Sequence, residues 1–575
     1  MDIKAQLQLF DNILVKNGLL SPSKLREIEE RINKNPSLSQ EDLENIIINE
    51  GFISEEKLLI AYSQYLNIPY FDLKQSDIDS DIVSLIPAKF ANDNKVIAIG
   101  KEDGTLIVAL RNPFDINIVD ELKILTGFKI KPVISKLEDI VKAIKVSYGV
   151  GAETVEKLIK DSKTPSLDSE LAKAETPEDL EEMAKDSSIV NYVNQLLMEA
   201  YKKRATDIHI EPFRDRLRIR FRIDGVLYEI KSLPDVKKLQ PAIVSRFKIM
   251  AKLNIAERRR PQDGRCRIKL HGQEVDLRLS TFPTLFGEGL SIRLLISSSI
   301  LFGLDELGFP EDAFSKIKVV LNKPNGMILV TGPTGCGKTT TLYACLSYLN
   351  DSKVNIVSLE DPIEYQLEGV NQIQVNPKID LTFANGLRSI LRQDPDVIMV
   401  GEIRDLDTAQ ISVRAALTGH LIFSTLHTND ALSSVNRLFD LGIEPYLVAN
   451  TLRAVIAQRL IRIICNNCKK EYLPDERLLE ASGFKREELN KDTRFFKGSG
   501  CSECNNAGYK GRTAIFEFLV VDDDMSSLIA ASAARSELAK QARILGMKSL
   551  KESGIDKVKN GITTLEEVIR VTEQE

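Results

Sequence analysis

The clearest chemistry in the sequence lies in a glycine-rich loop at residues 332–339, which reads Gly-Pro-Thr-Gly-Cys-Gly-Lys-Thr. This order fits the phosphate-binding pattern G-x-x-x-x-G-K-[ST]. Glycines let backbone N–H groups close around phosphate oxygens, the Lys338 ammonium can reach the β- and γ-phosphates, and the Thr339 hydroxyl can ligate Mg²⁺. The candidate nucleotide-binding residues are Gly332, Pro333, Thr334, Gly335, Cys336, Gly337, Lys338, Thr339 and Thr340.

The residues on either side of this loop have the patterns that such chemistry requires. Met327–Thr331 is an apolar run typical of a buried strand, and Thr340–Leu349 has the pattern of a helix. A helix that begins directly after the loop adds the partial positive charge of its N-terminus to the phosphate site. The sequence therefore predicts a strand, a phosphate-binding loop and a helix in succession.

Two further strands are predicted to end in acidic residues, as a nucleotide hydrolase requires. Val397–Gly401 is followed by Glu402, the Walker B arrangement, in which the carboxylate holds Mg²⁺ directly or through water. Asn355–Leu359 precedes an acidic stretch at 360–364 that ends in Glu364. Because ligands bind at the carboxyl ends of strands in open α/β sheets, we expect both acids near the nucleotide. Exposed acids at a strand end are the alternative interpretation.

Two of the four histidines, His420 and His427, flank an apolar, strand-like stretch. A metal site formed by this pair is disfavoured, because an odd spacing along one strand points the side chains to opposite faces. A role at the γ-phosphate or in coupling is favoured, and packing in the core remains the alternative.

The seven cysteines fit no closed set of disulfides, but four of them form two C-x-x-C pairs separated by residues 469–500. The paired residues are Cys465, Cys468, Cys501 and Cys504. Four thiolates in two such pairs are typical of a tetrahedral structural Zn²⁺ site. A redox role would need only one pair in a thioredoxin-like context, which is missing. The remaining cysteines, which we predict to be packing residues, are Cys266, Cys336 and Cys345.

Composition is that of a globular protein. The chain has 575 residues, of which 43% are hydrophobic and 28% charged, and it is long enough for several domains. Its net charge of -6 disfavours a nucleic-acid binder, because phosphate contacts need a basic surface. No stretch is apolar over the ~18 residues that span a bilayer, and no apolar signal segment follows the N-terminus. We therefore expect a cytoplasmic protein.

Pattern and composition divide the chain into four regions, of which the first is 1–148. It combines a helical part at 1–70, in which Gly18–Leu25 recurs in degenerate form as Gly51–Leu58, with mixed α/β structure at 79–148. The repeat predicts two stacked helical units or a small module that binds a ligand or partner.

The other three regions follow in order. Residues 149–187, rich in Ser, Thr, Pro, Asp and Glu, have the composition of a linker. An arginine-rich second domain is predicted at 188–300, in which residues 207–230 alternate like a strand pair. Residues 301–575 form the last domain, including a zinc-binding subdomain at 465–504 and C-terminal helices.

Several stretches, taken in order, resemble those of the secretion-type hexameric ATPases, in particular the type IV pilus extension ATPases (PilB type) and their type II secretion relatives (GspE type). The stretches are Ala205–Pro212, Arg260–Arg265, 332–339, Glu360–Glu364, Gly401–Asp405 and Thr418–His427. The resemblance implies an α/β fold, with a RecA-like P-loop ATPase domain preceded by a PAS-like α/β second domain and a mixed α/β N-terminal domain. It also implies ATP as substrate, Mg²⁺ and a structural Zn²⁺.

The same resemblance implies catalytic roles. Glu364 matches the glutamate that activates the attacking water, and Glu402 matches the acid that follows the Walker B strand. Arg278 and Arg293 match arginines of the second domain that act as fingers and stabilise the phosphoryl transition state. His420 and His427 match the family's histidine box. The complete catalytic set implied is Glu364, Glu402, Lys338, Arg278, Arg293, His420 and His427.

For partners, the resemblance implies a homohexamer, no nucleic acid, and peripheral association with the inner membrane through a platform protein and a docking protein. Some members bind cyclic di-GMP through repeats that open with Arg-Leu-Gly. The matching positions here, 9–11 and 42–44, read Leu-Phe-Asp and Asp-Leu-Glu. Acids at these positions would repel a dinucleotide, so we expect docking to a membrane partner instead of cyclic di-GMP binding.

Three functions remain open at the level of sequence. The favoured one is a pilus-assembly motor, with a type II secretion motor as its alternative within the same family. A nucleic-acid translocase shares the P-loop but is disfavoured by the acidic balance. A scaffold that only binds nucleotide is disfavoured by the acids at Glu364 and Glu402.

Overall fold

The computed structural model describes residues 11–15, 20–24, 48, 52–73, 78–83, 85–113, 115–148, 181, 183–231, 234–296, 303–484 and 494–573. The chain divides into two compact units, Met1–Ile296 and Ser297–Glu575. Among the residues described, no helix has the length and apolar character needed to cross a membrane.

The first part of the first unit is a three-stranded sheet with helices. Its elements are α1 (Glu55–Leu66), α2 (Ser80–Val83), α3 (Ala88–Asn94), β1 (Val96–Glu102), β2 (Thr105–Leu110), α4 (Ile116–Thr126), β3 (Lys129–Ile134) and α5 (Leu137–Tyr148). β2 pairs antiparallel with β1 and parallel with β3. This agrees with the α/β structure predicted for 79–148. Gly18 and Gly51, positions 9–10 and 42–44, and the linker up to 180 lie outside the described residues.

The second part of the first unit is a six-stranded antiparallel sheet in the order β6-β5-β4-β9-β8-β7. Its elements are α6 (Ser187–Lys202), β4 (Ala205–Pro212), β5 (Leu217–Ile223), β6 (Val226–Ile230), α7 (Gln240–Met250), β7 (Gln262–Leu270), β8 (Gln273–Thr284) and β9 (Gly287–Ile296). Helix α6 buries one apolar face, formed by Ile189, Val193, Leu196, Leu197 and Ala200.

Residues 207–230 form three strands, where the sequence predicted a pair. Asp224 and Gly225 have positive φ angles of 48° and 87°, which make a second tight turn between β5 and β6. In β5 the apolar residues are buried at every second position, so the intervening arginines share the other face of the sheet. This polar face carries the arginines discussed below.

The second unit contains the remaining elements. The helices are α8 (Glu311–Leu321), α9 (Lys338–Leu349), α10 (Phe383–Ile390), α11 (Leu406–Leu417), α12 (Ala431–Asp440), α13 (Pro445–Thr451), α14 (Glu476–Ser482), α15 (Asp523–Ala530), α16 (Arg535–Ile544), α17 (Leu550–Lys559) and α18 (Leu565–Thr572). The strands are β10 (Gly326–Thr331), β11 (Ile356–Glu360), β12 (Asn371–Gln374), β13 (Val397–Val400), β14 (Leu421–Leu426), β15 (Leu452–Ile464), β16 (Lys469–Tyr472), β17 (Phe495–Gly498) and β18 (Tyr509–Val520).

A seven-stranded sheet in the order β12-β11-β13-β14-β10-β15-β18 is the core of the second unit. Every pair is parallel except β15 with β18. Every residue of β10, β11, β13 and β14 is buried, as expected for parallel strands covered on both faces. The carboxyl ends of the parallel strands therefore meet at one edge, and the loops that carry the candidate site leave from there.

The described residues between the two cysteine pairs, 469–484 and 494–500, include a two-stranded sheet and one helix. β16 and β17 pair antiparallel, and α14 lies between them in sequence. Phe484 and Phe495 pack with Val558, Leu565 and Val568 of the C-terminal helices. These contacts attach the cysteine region to the end of the chain.

Candidate functional site

The phosphate-binding loop joins β10 to α9, so the predicted strand, loop and helix are present. Gly332, Gly335 and Gly337 have φ angles of 145°, 81° and 89°, which side chains other than glycine rarely adopt. A Cβ at Gly332 would lie 2.6 Å from both the Cys336 Sγ and the Gln458 carbonyl oxygen. The loop is therefore tightly wound and requires glycine at its first position.

Lys338 is the first residue of α9, and its ammonium is held at the loop. Its Nζ donates to the carbonyl oxygens of Gly332 at 2.8 Å and Pro333 at 3.1 Å. Burial lowers the pKa of Lys338, and the charge of Glu402 opposes this effect. A partly desolvated ammonium at the N-terminus of a helix is well placed to bind phosphate.

Gln458 of the neighbouring strand β15 supports the loop through hydrogen bonds, and no motif in the sequence indicated it. Its Nε2 donates to the Cys336 carbonyl at 2.6 Å, and its Oε1 accepts from the Thr341 hydroxyl at 2.7 Å. The side chain is 1% exposed. This contact links residues more than one hundred positions apart, and only the pairing of β10 with β15 brings them together.

Glu402 follows β13 and lies among basic groups. The side chain is 12% exposed, and its carboxylate forms an ion pair with the Arg404 guanidinium, in which the Arg404 Nε lies at 2.6 Å. The Nε2 of His427, which follows β14, lies 3.5 Å from the same carboxylate. Burial and then the charge of Lys338 lower the pKa of His427, while Glu402 acts in the opposite direction. Lys338, Glu402 and His427 therefore form one cluster at the sheet edge.

The structure separates the two histidines. His420 precedes β14 and His427 follows it, so they lie at opposite ends of this six-residue strand, roughly 20 Å apart. The His420 Nδ1 lies 3.0 Å from the Ala415 carbonyl, at the end of α11. Of these two histidines, both of which the structure describes, His427 belongs to the cluster and His420 lies at the other end of β14.

Glu364 lies on the connection between β11 and β12, which packs against the first turns of α9. The Tyr365 ring meets the Tyr343 ring edge-on, with centroids 4.6 Å apart. The Tyr365 hydroxyl also interacts with the Thr340 side chain, and the Glu364 backbone amide interacts with the Tyr343 hydroxyl. The candidate base is thus held next to the helix that begins with Lys338.

In the first unit, Arg278 and Arg293 are directly opposite each other on β8 and β9. Arg265 on β7 pairs with Arg278, Asp207 on β4 pairs with Arg293, and Arg222 on β5 pairs with Asp207. We call these five residues the arginine row. Four guanidinium groups on one face of the sheet form a surface suited to anionic groups.

Asp207 orders the centre of this row and was not singled out in the sequence. It is 7% exposed, and its carboxylate lies 2.9 Å from the Arg293 Nε and 3.6 Å from the Arg222 Nε. The alternation of β4, in which Ile208 and Ile210 are buried, could have indicated that Asp207 faces the arginines.

The four cysteines of the two C-x-x-C pairs converge. Their ligand atoms all lie within 4.8 Å of one another. The Cys501 Sγ lies 3.8 Å from the Cys465 Sγ and 3.7 Å from the Cys504 Sγ. The Sγ atoms of Cys468 and Cys504 are 3.8 Å apart. Tetrahedral zinc with bonds of about 2.3 Å requires sulfur–sulfur distances of about 3.8 Å, so the cluster fits Zn²⁺.

The donor groups near the loop also suit Mg²⁺. Thr339 offers a hydroxyl in the first turn of α9, and Glu402 offers a carboxylate held by Arg404. Magnesium prefers such oxygen ligands together with phosphate oxygens and water. The arrangement can therefore bind a nucleoside triphosphate with its metal and present an acid, Glu364, near the same helix.

These features define a P-loop nucleotide-binding protein, and comparison with known proteins places it in a family. The model of the type II/IV secretion system protein family matches residues 182–570. The chain therefore belongs to the type II/IV secretion system protein family. A second model, the MshEN domain, matches residues 66–154.

Two curated relatives illustrate the range of this family. The type IV pilus assembly ATPase PilB of Myxococcus xanthus is 45% identical, and the alignment covers 97% of each chain. The type II secretion system ATPase E of Vibrio cholerae is 43% identical over 87% of this chain and 99% of its own. Among solved structures, that of the pilus retraction motor PilT with bound ADP is 26% identical, with a TM-score of 0.43, and covers 65% of this chain and 95% of PilT.

Proposed function

We propose that the protein is an Mg²⁺-dependent ATPase that acts as the motor of type IV pilus assembly. The observation that carries the proposal is the cluster of Lys338, Glu402 and His427 beside a wound phosphate-binding loop, in a chain whose relatives are named as pilus and secretion ATPases. Hydrolysis of ATP would power the polymerisation of pilin through an inner-membrane platform protein.

Each side chain of the site would have a distinct task in hydrolysis. Lys338 and the loop amides hold the phosphates, and Thr339 and Glu402 hold Mg²⁺, which when bound neutralises charge on the β- and γ-phosphates. Glu364 orients and deprotonates the attacking water. His427 hydrogen-bonds with Glu402 and transmits the state of the γ-phosphate to β14.

We propose that the arginine row supplies the fingers of the reaction, with Arg278 and Arg293 approaching nucleotide in an assembled homohexamer. The ion pair with Asp207 fixes the Arg293 guanidinium in advance, which reduces the entropy lost when it meets phosphate. Rigid-body movement of one unit against the other would then follow the nucleotide cycle and perform work on the membrane partner.

We further propose that residues 1–148 dock the motor to an inner-membrane partner, that 149–187 act as the linker, and that Cys465, Cys468, Cys501 and Cys504 hold one structural Zn²⁺. The sulfur distances support the zinc assignment. The acids at 9–11 and 42–44 favour docking over cyclic di-GMP binding.

The site assignment is tested by steady-state ATP turnover of Lys338→Ala and Glu364→Ala. We expect each variant to lose at least about 10²-fold in kcat, because each removes charge or base chemistry needed in the transition state. Matched controls are Lys353→Ala and Glu368→Ala, which remove exposed side chains of the same domain. Turnover of either site variant at the level of its control would refute the assignment.

A type II secretion motor is the second candidate, because a relative of that name covers 87% of this chain at 43% identity. The alignment over 97% of both chains favours the pilus motor. Deletion of the gene in its own bacterium discriminates between them. Loss of surface pili with normal export of secreted enzymes supports the pilus motor, and the converse supports secretion.

A further inference from the structure

A buried hydrogen-bond network lies between the phosphate-binding helix and the connection that carries Glu364. Its members are Tyr343 of α9, Ser358 and Glu360 of β11, and Gln372 of β12, which we call the Tyr343 network. Glu360 is 3% exposed and Tyr343 1% exposed. A carboxylate buried to this degree is costly unless it is fully hydrogen-bonded.

Glu360 is satisfied by three donors. The Tyr343 hydroxyl donates to one carboxylate oxygen. The Ser358 hydroxyl at 2.6 Å and the Gln372 Nε2 at 3.1 Å donate to the other. With both oxygens occupied and almost no exposure, Glu360 is poorly suited to bind Mg²⁺ or activate water. It joins the end of β11 to α9 and to β12.

Gln372 extends the network into the connection itself. Its Oε1 accepts from the Leu367 backbone amide at 2.8 Å, and its Nε2 lies 3.2 Å from the Tyr365 carbonyl. Both contacts fall within three residues of Glu364. The amide side chain therefore fixes the path of the backbone immediately after the candidate base.

Tyr343 connects this path to the nucleotide site. It lies one helical turn after Thr339 on the same face of α9. Its ring packs against Tyr365, and its hydroxyl interacts with the Glu364 backbone amide as well as with Glu360. Burial and then the hydrogen bond to Glu360 raise the pKa of Tyr343, so the hydroxyl remains a donor at all working pH values.

We propose that Tyr343, Glu360 and Gln372 are positioning residues that set the distance between Glu364 and the water it activates. This inference rests on the proposed ATPase function, because it assigns these residues a task only through Glu364. A misplacement of about 1 Å can cost about 10²-fold in rate, so loss of one tether is expected to lower kcat without weakening nucleotide binding.

The test compares Tyr343→Phe, which keeps the ring and removes the hydroxyl, with Gln372→Leu. For both variants we expect kcat to fall at least ~10-fold, while the Kd for Mg²⁺-bound nucleotide stays within about twofold of wild type. Gln374→Leu is the control on the same strand, where the side chain is exposed. Tyr192→Phe is the control for loss of a buried hydroxyl, since the Tyr192 Oη has no partner among the described residues.

A double variant separates positioning from a general structural role. If Tyr343 acts through Glu364, Tyr343→Phe combined with Glu364→Gln is no slower than Glu364→Gln alone, to within about twofold. Additive losses, wild-type turnover of Tyr343→Phe, or equal losses of binding and kcat would overturn the proposal. Turnover of Lys338→Ala at the wild-type level would instead refute the site assignment, and absence of turnover in the wild type would refute the ATPase function, so these failures are distinguishable from failure of the positioning proposal.

Discussion

At the residue scale, side chains from other strands hold the phosphate-binding loop and the backbone after Glu364 in place. Gln458 of β15 donates to the Cys336 carbonyl of the loop and accepts from the Thr341 hydroxyl of α9. Gln372 of β12 accepts from the Leu367 amide and lies 3.2 Å from the Tyr365 carbonyl. The geometry of the site therefore depends on hydrogen bonds made from outside the loop itself.

His427 leads to a prediction about pH. Its pKa is lowered below the ordinary 6.5, so it is neutral at pH 7, and protonation is more favourable in the unfolded chain. Its contribution to stability is therefore present above pH 6.5 and decreases as the pH falls below that value. Glu402→Gln removes a charge that raises this pKa, so the pKa should fall further.

Imidazole NMR measures this directly, because the chain has only four histidines. His427→Gln identifies the resonance. A pKa above 6.5 in the wild-type protein, or an upward shift in Glu402→Gln, would contradict the described electrostatics.

Gln458 leads to a prediction about stability and binding. Gln458→Leu leaves the Thr341 hydroxyl and the Cys336 carbonyl without their partner, which costs about 1–3 kcal/mol in the free energy of unfolding. The loop should also bind nucleotide more weakly, because its shape is less well fixed. Chemical denaturation and nucleotide titration check both effects, with exposed Gln366→Leu as control. Equal unfolding free energies and equal nucleotide affinities of the two variants would show that Gln458 does not support the loop.

At the element scale, strands and helices with strong periodicity were predicted well, and one tight turn was missed. β10, β13 and α9 agree with the apolar runs, since burial on both faces leaves an unmistakable pattern. The region 207–230 contains three strands where two were predicted, because the turn at Asp224 and Gly225 divides the second of them. The alternation of apolar and polar residues did not reveal this turn. The positions of His420 and His427 at the two ends of β14 agree with the strand-like stretch expected between them.

The contacts of Gln458, Tyr343 and Gln372 were not predictable, because each acts through strands or helices distant in sequence. Polar side chains in such positions have no periodic signature, and their partners depend on which strands are neighbours. The loop at 332–339 was recognisable because its chemistry depends on local spacing.

The cysteine cluster leads to a prediction at this scale. We expect about one zinc per chain in the purified protein, measured by elemental analysis. Cys501→Ser should lose the metal and lower Tm by more than about 5 °C, because the subdomain packs on the C-terminal helices. Cys266→Ser, which changes a cysteine outside the cluster, should keep both. Two results would refute the zinc site. One is wild-type protein that contains no zinc, and the other is a Tm that does not change when a chelator removes the metal.

At the scale of the whole molecule, the sequence motifs indicated an arginine-bearing unit followed by a P-loop unit, and the chain divides near residue 296. The register that aligns the arginine row was not predictable, because it depends on pairing among five strands. The family match over 182–570 extends across both units, as expected if the two act together.

The arginine row leads to a prediction about the assembled motor. Arg293→Ala and Arg278→Ala should each lower kcat by about 10³-fold or more, the range of arginine fingers, while the isolated chain keeps its fold. Arg267→Ala on the same sheet removes an exposed arginine outside the row and is the control. ATP turnover of the hexameric fraction provides the readout. If Arg267→Ala lowers kcat as much as Arg293→Ala and Arg278→Ala do, the effect is a general one of surface charge and the finger role is refuted.

The proposed ATPase function depends most on Glu364 as the base that activates the attacking water. Single-turnover hydrolysis of Mg²⁺-ATP by wild type and Glu364→Gln tests this role, with binding measured on the same samples. We predict equal binding to within about twofold and a hydrolysis rate at least ~10²-fold lower in Glu364→Gln. Equal hydrolysis rates in the two proteins would contradict the account.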